Sequence, residues 1–219
     1  MGGFSRVVAT GAVLVATLLR TSGSAAVIPD GLIIRIYDNA GVLAADRARA
    51  IERARAILVT ADLDIEWRDC SSGGTMRTGC AAPAAAGELV VRLVRSPKSA
   101  EHELALGNSL IDSATGGGTL ATVFVDRVES IAGRGRTDRA AIMGRVIAHE
   151  IGHLLLGTNA HAETGLMREI WTLAELTRNR AQDWMFSATQ RQNLRDASIG
   201  TRRATTAASR RDRAPLNGG

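Results

Sequence analysis

Apolar positions along the chain fall into two periods, two and three-to-four, and their alternation sets out the elements. Leu32–Tyr37 (Leu-Ile-Ile-Arg-Ile-Tyr) is rich in β-branched residues and ends at Asp38-Asn39-Ala40-Gly41, which predicts a strand closed by a turn. Over Ala44–Thr60, Ala48, Ile51, Arg55 and Leu58 recur at spacings of three to four among Arg and Glu, the pattern of an amphipathic helix. Leu63–Asp69 alternates Leu63, Ile65 and Trp67 with charged residues, as a half-exposed strand does. Glu88–Val94, closed by Pro97, and Leu120–Val125, preceded by Gly116-Gly117-Gly118, read as two more strands. Asp138–Leu156 is a long helical stretch with Thr137 or Asp138 as its N-cap, and Ile147, Ile151, Leu154 and Leu155 form the side it buries. Ser187-Ala188-Thr189-Gln190 has the form of a capping box and opens a last helix expected to end near Ala197.

The order is β-α-β-β-β-α-loop-α. It predicts an α+β fold, with a small mixed sheet of about four strands backed by two helices. The chemistry described below falls on the second long helix. No internal repeat is present, and 219 residues are enough for one domain with a sizeable core.

The two ends depart from this pattern. Arg6, the apolar stretch Val7–Leu19 and the small residues Ser22-Gly23-Ser24-Ala25-Ala26 read as a signal peptide over 1–26, cleaved near Ala26. This 13-residue apolar stretch falls short of the roughly 20 residues that a spanning helix needs. An uncleaved anchor is the alternative, and Arg20 directly after the apolar stretch keeps it open. From Ser198 onward Ala, Thr, Ser and Arg dominate without apolar periodicity, so 198–219 is expected to be a disordered, Arg-rich tail. The folded domain then spans 27–197, in a protein exported to the periplasm or the exterior. In that oxidising setting Cys70 and Cys80, which enclose a polar, glycine-containing loop, are expected to form a disulfide; their nine-residue spacing does not suit a zinc knuckle.

Charge changes the picture less than its total suggests. The formal net charge of +5 would point to an anionic partner. However, the two arginines of 1–26 and the five of 198–219 supply it, and between Val27 and Ala197 there are 20 basic and 21 acidic residues. A nucleic-acid-binding core is therefore not indicated. Aromatic residues make up only 3%, so the core must be built from Leu, Val, Ile and Ala.

The segment that carries chemistry is His149-Glu150-Ile151-Gly152-His153, an H-E-x-x-H motif within the predicted helix. Positions i and i+4 differ by about 40° around a helix, so both imidazoles can share one metal ion. Glu150, beside that face, suits a general base acting on water at the metal. A catalytic zinc needs a third protein ligand. His161 is the candidate, because Gly157 can end the helix in a left-handed conformation and turn the chain back. Glu163, Glu169, Glu175 and Asp183 are the substitutes if His161 is not a ligand. His102, flanked by Glu101 and Glu103, reads as a surface residue, and Gly116–Gly118 lacks the lysine of a phosphate cradle and reads as a turn.

At these residues the chain resembles the metzincin zinc metalloproteases, whose motif H-E-x-x-H-x-x-G-x-x-H is followed by a methionine turn. His149, Glu150, His153, Gly157 and His161 match by type, and Gly165-Leu166-Met167 looks like the Met-turn. The glycine comes one residue late and the third histidine two residues late. The same stretch is similar to a group of small exported bacterial proteins, regarded as zinc proteases, that share this longer spacing. The resemblance covers about 149–167. It implies one catalytic Zn2+ on His149, His153 and His161, Glu150 as the catalytic residue, and Met167 as an apolar floor and not a ligand. It also implies a peptide or protein substrate, paired in extended form along Leu120–Val125 as an edge strand. A secreted zinc endopeptidase is the leading reading, with no nucleic-acid partner and no membrane span in the mature form. A non-catalytic zinc-binding module and an anionic-surface binder acting through Arg202–Arg213 are the alternatives.

Overall fold

The computed structural model describes residues 31–71, 79–97, 105–112 and 114–212, with side chains to residue 201. Residues 1–26, the candidate signal peptide, and His102 lie outside the described residues. Among the described residues no helix is long and apolar enough to cross a membrane.

Strand β1 (Leu32–Asp38) leads through helix α1 (Ala44–Val59) into β2 (Ile65–Asp69), which pairs parallel to it. Strand β3 (Leu89–Val94) pairs parallel on the other side of β1, and β5 (Gly117–Phe124) pairs parallel to β3. Strand β4 (Gly107–Asp112) then runs antiparallel to β5 and closes the order β2-β1-β3-β5-β4. The sheet is mixed, as expected, but among the described residues it has five strands where about four were expected. β4 departs from strand composition because it is built of Gly, Asn, Ser and Asp around Leu110 and Ile111, a sequence of low intrinsic β-propensity held by its hairpin with β5. This also corrects the expectation for Leu120–Val125. β5 is paired on both sides; the edge strands are β2 and β4, and β4 is the one that covers β5.

Alternate residues of the parallel strands face the helices. Ile34, Ile36, Val91, Leu93, Ala121 and Val123 are all fully buried and pack with one side of α1 and of α3 (Arg139–Leu156). The buried stripe of α1 is Ala50, Ile51, Ala54, Ile57 and Leu58; Ala48 and Arg55 of the sequence pattern lie outside it, exposed. An additional helix, α2 (Val125–Gly135), follows β5 directly and buries Val125, Val128 and Ala132 at spacings of three and four. Its signal was diluted by Gly133, Arg134 and Gly135 at its end. The motif helix is therefore third in the chain, not second, and among the described residues five helices stand where three were expected, two of those three backing the sheet. Beyond it come α4 (Leu173–Arg178), a 3-10 turn over Ala181–Trp184, and α5 (Ala188–Asp212).

Both predicted helix starts that carry a cap are realised. The Asp138 side chain accepts from the Ala140 N–H at 2.9 Å, and Ser187 and Gln190 bond reciprocally through Gln190 N–H to Ser187 Oγ and Ser187 N–H to Gln190 Oε1. Helix α5 continues past Ala197 to Asp212, into the Arg-rich segment.

Cys70 and Cys80 are joined, with their Cα atoms 5.5 Å apart. Just beyond the bridge, Arg35 of β1 donates to the carbonyls of Ala82 at 2.7 Å and Pro83 at 3.3 Å. The same guanidinium pairs with buried Glu88 at 2.5 Å, and Arg68 reaches the other Glu88 oxygen at 2.9 Å. The segment after the bridge, through Ala82, Pro83 and Glu88, is thus strapped onto the sheet at the end opposite β4.

Candidate metal centre

Helix α3 ends where its glycine permits. Gly157 adopts φ +65°, and its N–H closes on the His153 carbonyl at 2.9 Å. The chain then folds back over the helix it has just left. Gly165 turns it at φ +78°, the Leu166 N–H donates to the Met185 carbonyl at 2.9 Å, and the Ala162 N–H donates to the Met167 carbonyl at 2.8 Å. This returning loop supplies the partners of the two helical histidines. His149 Nδ1 donates to the Leu166 carbonyl at 2.9 Å, and His153 Nδ1 donates to the Thr158 carbonyl at 2.7 Å. A carbonyl can only accept, so both rings carry their proton on Nδ1 and present a lone pair at Nε2.

Those two Nε2 atoms lie 3.0 Å apart. Two Zn–N bonds at a tetrahedral angle put their nitrogens about 3.3 Å apart, so the separation is close to that of ligands sharing one ion. His161 joins them across the mouth, stacked on His149 at 5.4 Å between ring centroids and edge-on to His153 at 4.9 Å. One ligand atom from each of the three lies within 4.8 Å of the others. His149 and His153 are buried and His161 is exposed. Burial pushes the His149 imidazole down to about 3, assisted by His153 and His161 and opposed by its bond to the Leu166 carbonyl. Burial lowers His153 as well. His149 and His153 thus present neutral imidazoles with convergent lone pairs beside the His161 ring, a donor set that fits a borderline-soft divalent cation such as zinc.

Met167 is 1% exposed and lies against α3 at Gly152, where an added Cβ would meet its Sδ at 2.7 Å. Glu150 is 4% exposed, and burial lifts its carboxyl to about 7 against a lowering hydrogen bond from Ser109. Glu163 and Glu169 are exposed. Glu175 caps α4 through Thr172 and pairs with Arg168 at 3.5 Å, while Asp183 faces Arg178 at 4.0 Å. None of these four belongs to the metal-competent group among the described residues.

Two neighbours were not visible in the sequence. Ser109, on β4, places its Oγ 2.7 Å from Glu150 Oε2, a contact made across 41 positions of chain. Trp171 is set edge-on to His149 at 5.8 Å and to Trp184 at 5.2 Å, walling the His149 side of the site. Only the proximity of Trp171 to Met167 in sequence could have pointed to it.

No protein-family model matches the sequence, and no curated protein matches it. Among solved structures the chain is similar to an archaemetzincin from Methanopyrus kandleri. The TM-score is 0.49 at 14% identity, covering 78% of this chain and 98% of that one. It is also similar to a zinc-dependent peptidase from Methanocorpusculum labreanum, with a TM-score of 0.47 at 16% identity, covering 74% and 99%.

Proposed function

We propose that the chain is a secreted zinc-dependent metalloendopeptidase, with His149, His153 and His161 holding one Zn2+ and Glu150 as its catalytic residue. The observation that carries this reading is the pair of Nε2 lone pairs facing each other at 3.0 Å, each fixed in that sense by a carbonyl on Nδ1. Such an arrangement of neutral rings is repulsive without a cation between them.

Bound there, zinc would supply Lewis acidity, polarising a scissile carbonyl and lowering the pKa of water to about 7. Glu150, one position along the helix from His149, takes the proton of the attacking water and delivers it to the leaving amine. Its burial on β4 keeps bulk water from competing for that proton. Met167 and Trp171 hold the shape of the site without offering it a ligand. The peptide substrate binds in extended form along the outer edge of β4, which pairs with no further strand among the described residues. Export through a signal peptide cleaved near Ala26 completes the reading and accords with the Cys70–Cys80 bridge.

The test is to purify the mature protein, measure its zinc, and compare wild type with Glu150→Gln on a broad peptide library. Both forms should hold one zinc per chain, and only wild type should cleave. Equimolar zinc with no cleavage by either form would leave a non-catalytic zinc-binding module.

A further inference from the structure

The carboxylate of Glu150 is held from the sheet and not from its own helix. Ser109 Oγ lies 2.7 Å from Oε2 and 2.8 Å from the main-chain carbonyl oxygen of Glu150. The other carboxylate oxygen rests on Gly107. A Cβ at that position would stand 2.6 Å from Oε1, 2.9 Å from Cδ and 2.7 Å from the Thr122 carbonyl oxygen, so no larger residue fits without displacing the carboxylate or the strand. Positions i and i+2 of a strand share a face, so a Gly-x-Ser pair on β4 meets both oxygens at once, one residue by a hydroxyl and the other by leaving room. A hydroxyl offers one donor and two acceptor positions, and can fix the orientation of a carboxyl group without demanding one hydrogen-bond sense.

We propose that Gly107 and Ser109 form a cradle on the edge strand that orients the Glu150 carboxylate, with Ser109 as a positioning residue. This rests on the zinc-peptidase reading of the same site. It gives a physical reason why a strand of such poor β-propensity lies there: β4 is composed for what it holds, and its place in the sheet is maintained by β5 and α3. It also puts the groups that hold the general base and the proposed substrate-pairing edge on one element. The inner face of β4 fixes Glu150, while its outer edge pairs with no other strand among the described residues.

The alternative role for Ser109 is docking alone, through its bond to the Glu150 main-chain carbonyl. The two roles separate in zinc-loaded wild type, Ser109→Ala and Ser109→Thr. Each is measured for zinc content, Tm, kcat and KM on fluorescein-labelled casein, and affinity for acetohydroxamate. That probe chelates zinc and gives up its proton to an adjacent base, so its affinity reports whether the carboxylate is in place. Ser109→Ala should keep its zinc and its Tm, lose kcat about tenfold at unchanged KM, and bind acetohydroxamate about tenfold more weakly. Ser109→Thr, which retains the hydroxyl, should restore most of both. Unchanged kcat and unchanged acetohydroxamate affinity in Ser109→Ala overturn the cradle, as does a fall in Tm or zinc content that accounts for the lost activity. If wild type holds zinc but cleaves nothing, the peptidase reading fails by itself. The cradle is then judged on acetohydroxamate alone, a tenfold loss supporting it and equal affinity overturning it. A wild-type chain that takes up no zinc overturns both.

Discussion

His149 Nδ1 donates to the carbonyl oxygen of Leu166 at 2.9 Å, joining the middle of α3 to a loop seventeen residues further along the chain. The Thr158 carbonyl does the same for His153 from the start of that loop. The two imidazoles are thus oriented by the backbone of a single segment, 158–166, before any ion arrives. Their tautomer is set by carbonyls that no substitution can remove, which preorganises the pair and lowers the ordering cost of binding.

The three histidines should therefore differ in weight. His149→Ala or His153→Ala removes half of a buried, prealigned pair and should reduce zinc affinity below detection at micromolar concentrations. His161→Ala removes the exposed member and should leave weaker but measurable binding. Competition with a chromophoric chelator ranks the three, and equal losses would contradict the preorganised pair. In wild type, zinc at a hundredfold excess over its Kd adds about 2.7 kcal/mol to folding. That should raise Tm by about 5–10 °C, reversibly with EDTA.

Gly152 gives a prediction whose sign is set by packing. In an exposed helix interior Gly→Ala gains about 1 kcal/mol. Here the new Cβ would stand 2.7 Å from Met167 Sδ and 2.8 Å from Phe186 Cε1, both on buried side chains. Met167 can bend away, but the Phe186 ring cannot. Gly152→Ala should therefore destabilise by about 1–3 kcal/mol in urea unfolding. It should also weaken zinc binding, because Met167 adjoins the carbonyl that orients His149. A more stable variant would show that the floor beneath the helix is soft.

What was legible in the sequence was local. His149 and His153 share a helix face by spacing alone with Glu150 beside it, Gly157 marks where that helix must stop, and Asp138 and Ser187 mark where helices begin. Strands β1 and β3 were equally readable because each is rich in β-branched residues, and β5 because Leu120–Phe124 follows a glycine turn. What was hidden depends on long-range pairing. β4 is a strand because β5 gives it a partner, and Ser109 meets Glu150 only once that hairpin packs on α3. The helix face of α1 was misread by one position because Ala and Arg dominate it, and alanine is as readily exposed as buried.

Glu88 is a stability hinge remote from the histidines. Its carboxylate is 4% exposed and meets Arg35 at 2.5 Å, Arg68 at 2.9 Å and the Ala85 N–H at 2.9 Å. Removing one member of a buried pair leaves the other uncompensated, so Glu88→Ala should cost about 3–5 kcal/mol. Because Arg35 also carries the Ala82 and Pro83 carbonyls, the segment after Cys80 should become the first site of limited proteolysis. Wild-type resistance in the variant would mean that the disulfide alone holds this segment.

Asp46 provides a pH test away from the metal site. It sits in the first turn of α1, bonded to Arg49 at 2.6 Å and to Arg139, the first residue of α3; Arg49 in turn reaches Asp138 at 2.9 Å. The hydrogen bond from Arg49 holds the Asp46 carboxyl below its ordinary value, burial opposes this, and Arg139 adds to the lowering. A carboxyl whose folded pKa is depressed contributes stability that is present above its unfolded pKa of about 3.9 and is lost as pH falls through the folded value. Both arginines are about half exposed, so the effect is modest. Asp46→Asn should melt about 2–4 °C below wild type at pH 7. The gap should hold down to about pH 5 and then close below about pH 4, as wild type loses the charge that the variant never had. A gap that stays constant through pH 3 would show that the contribution of Asp46 is packing and not charge.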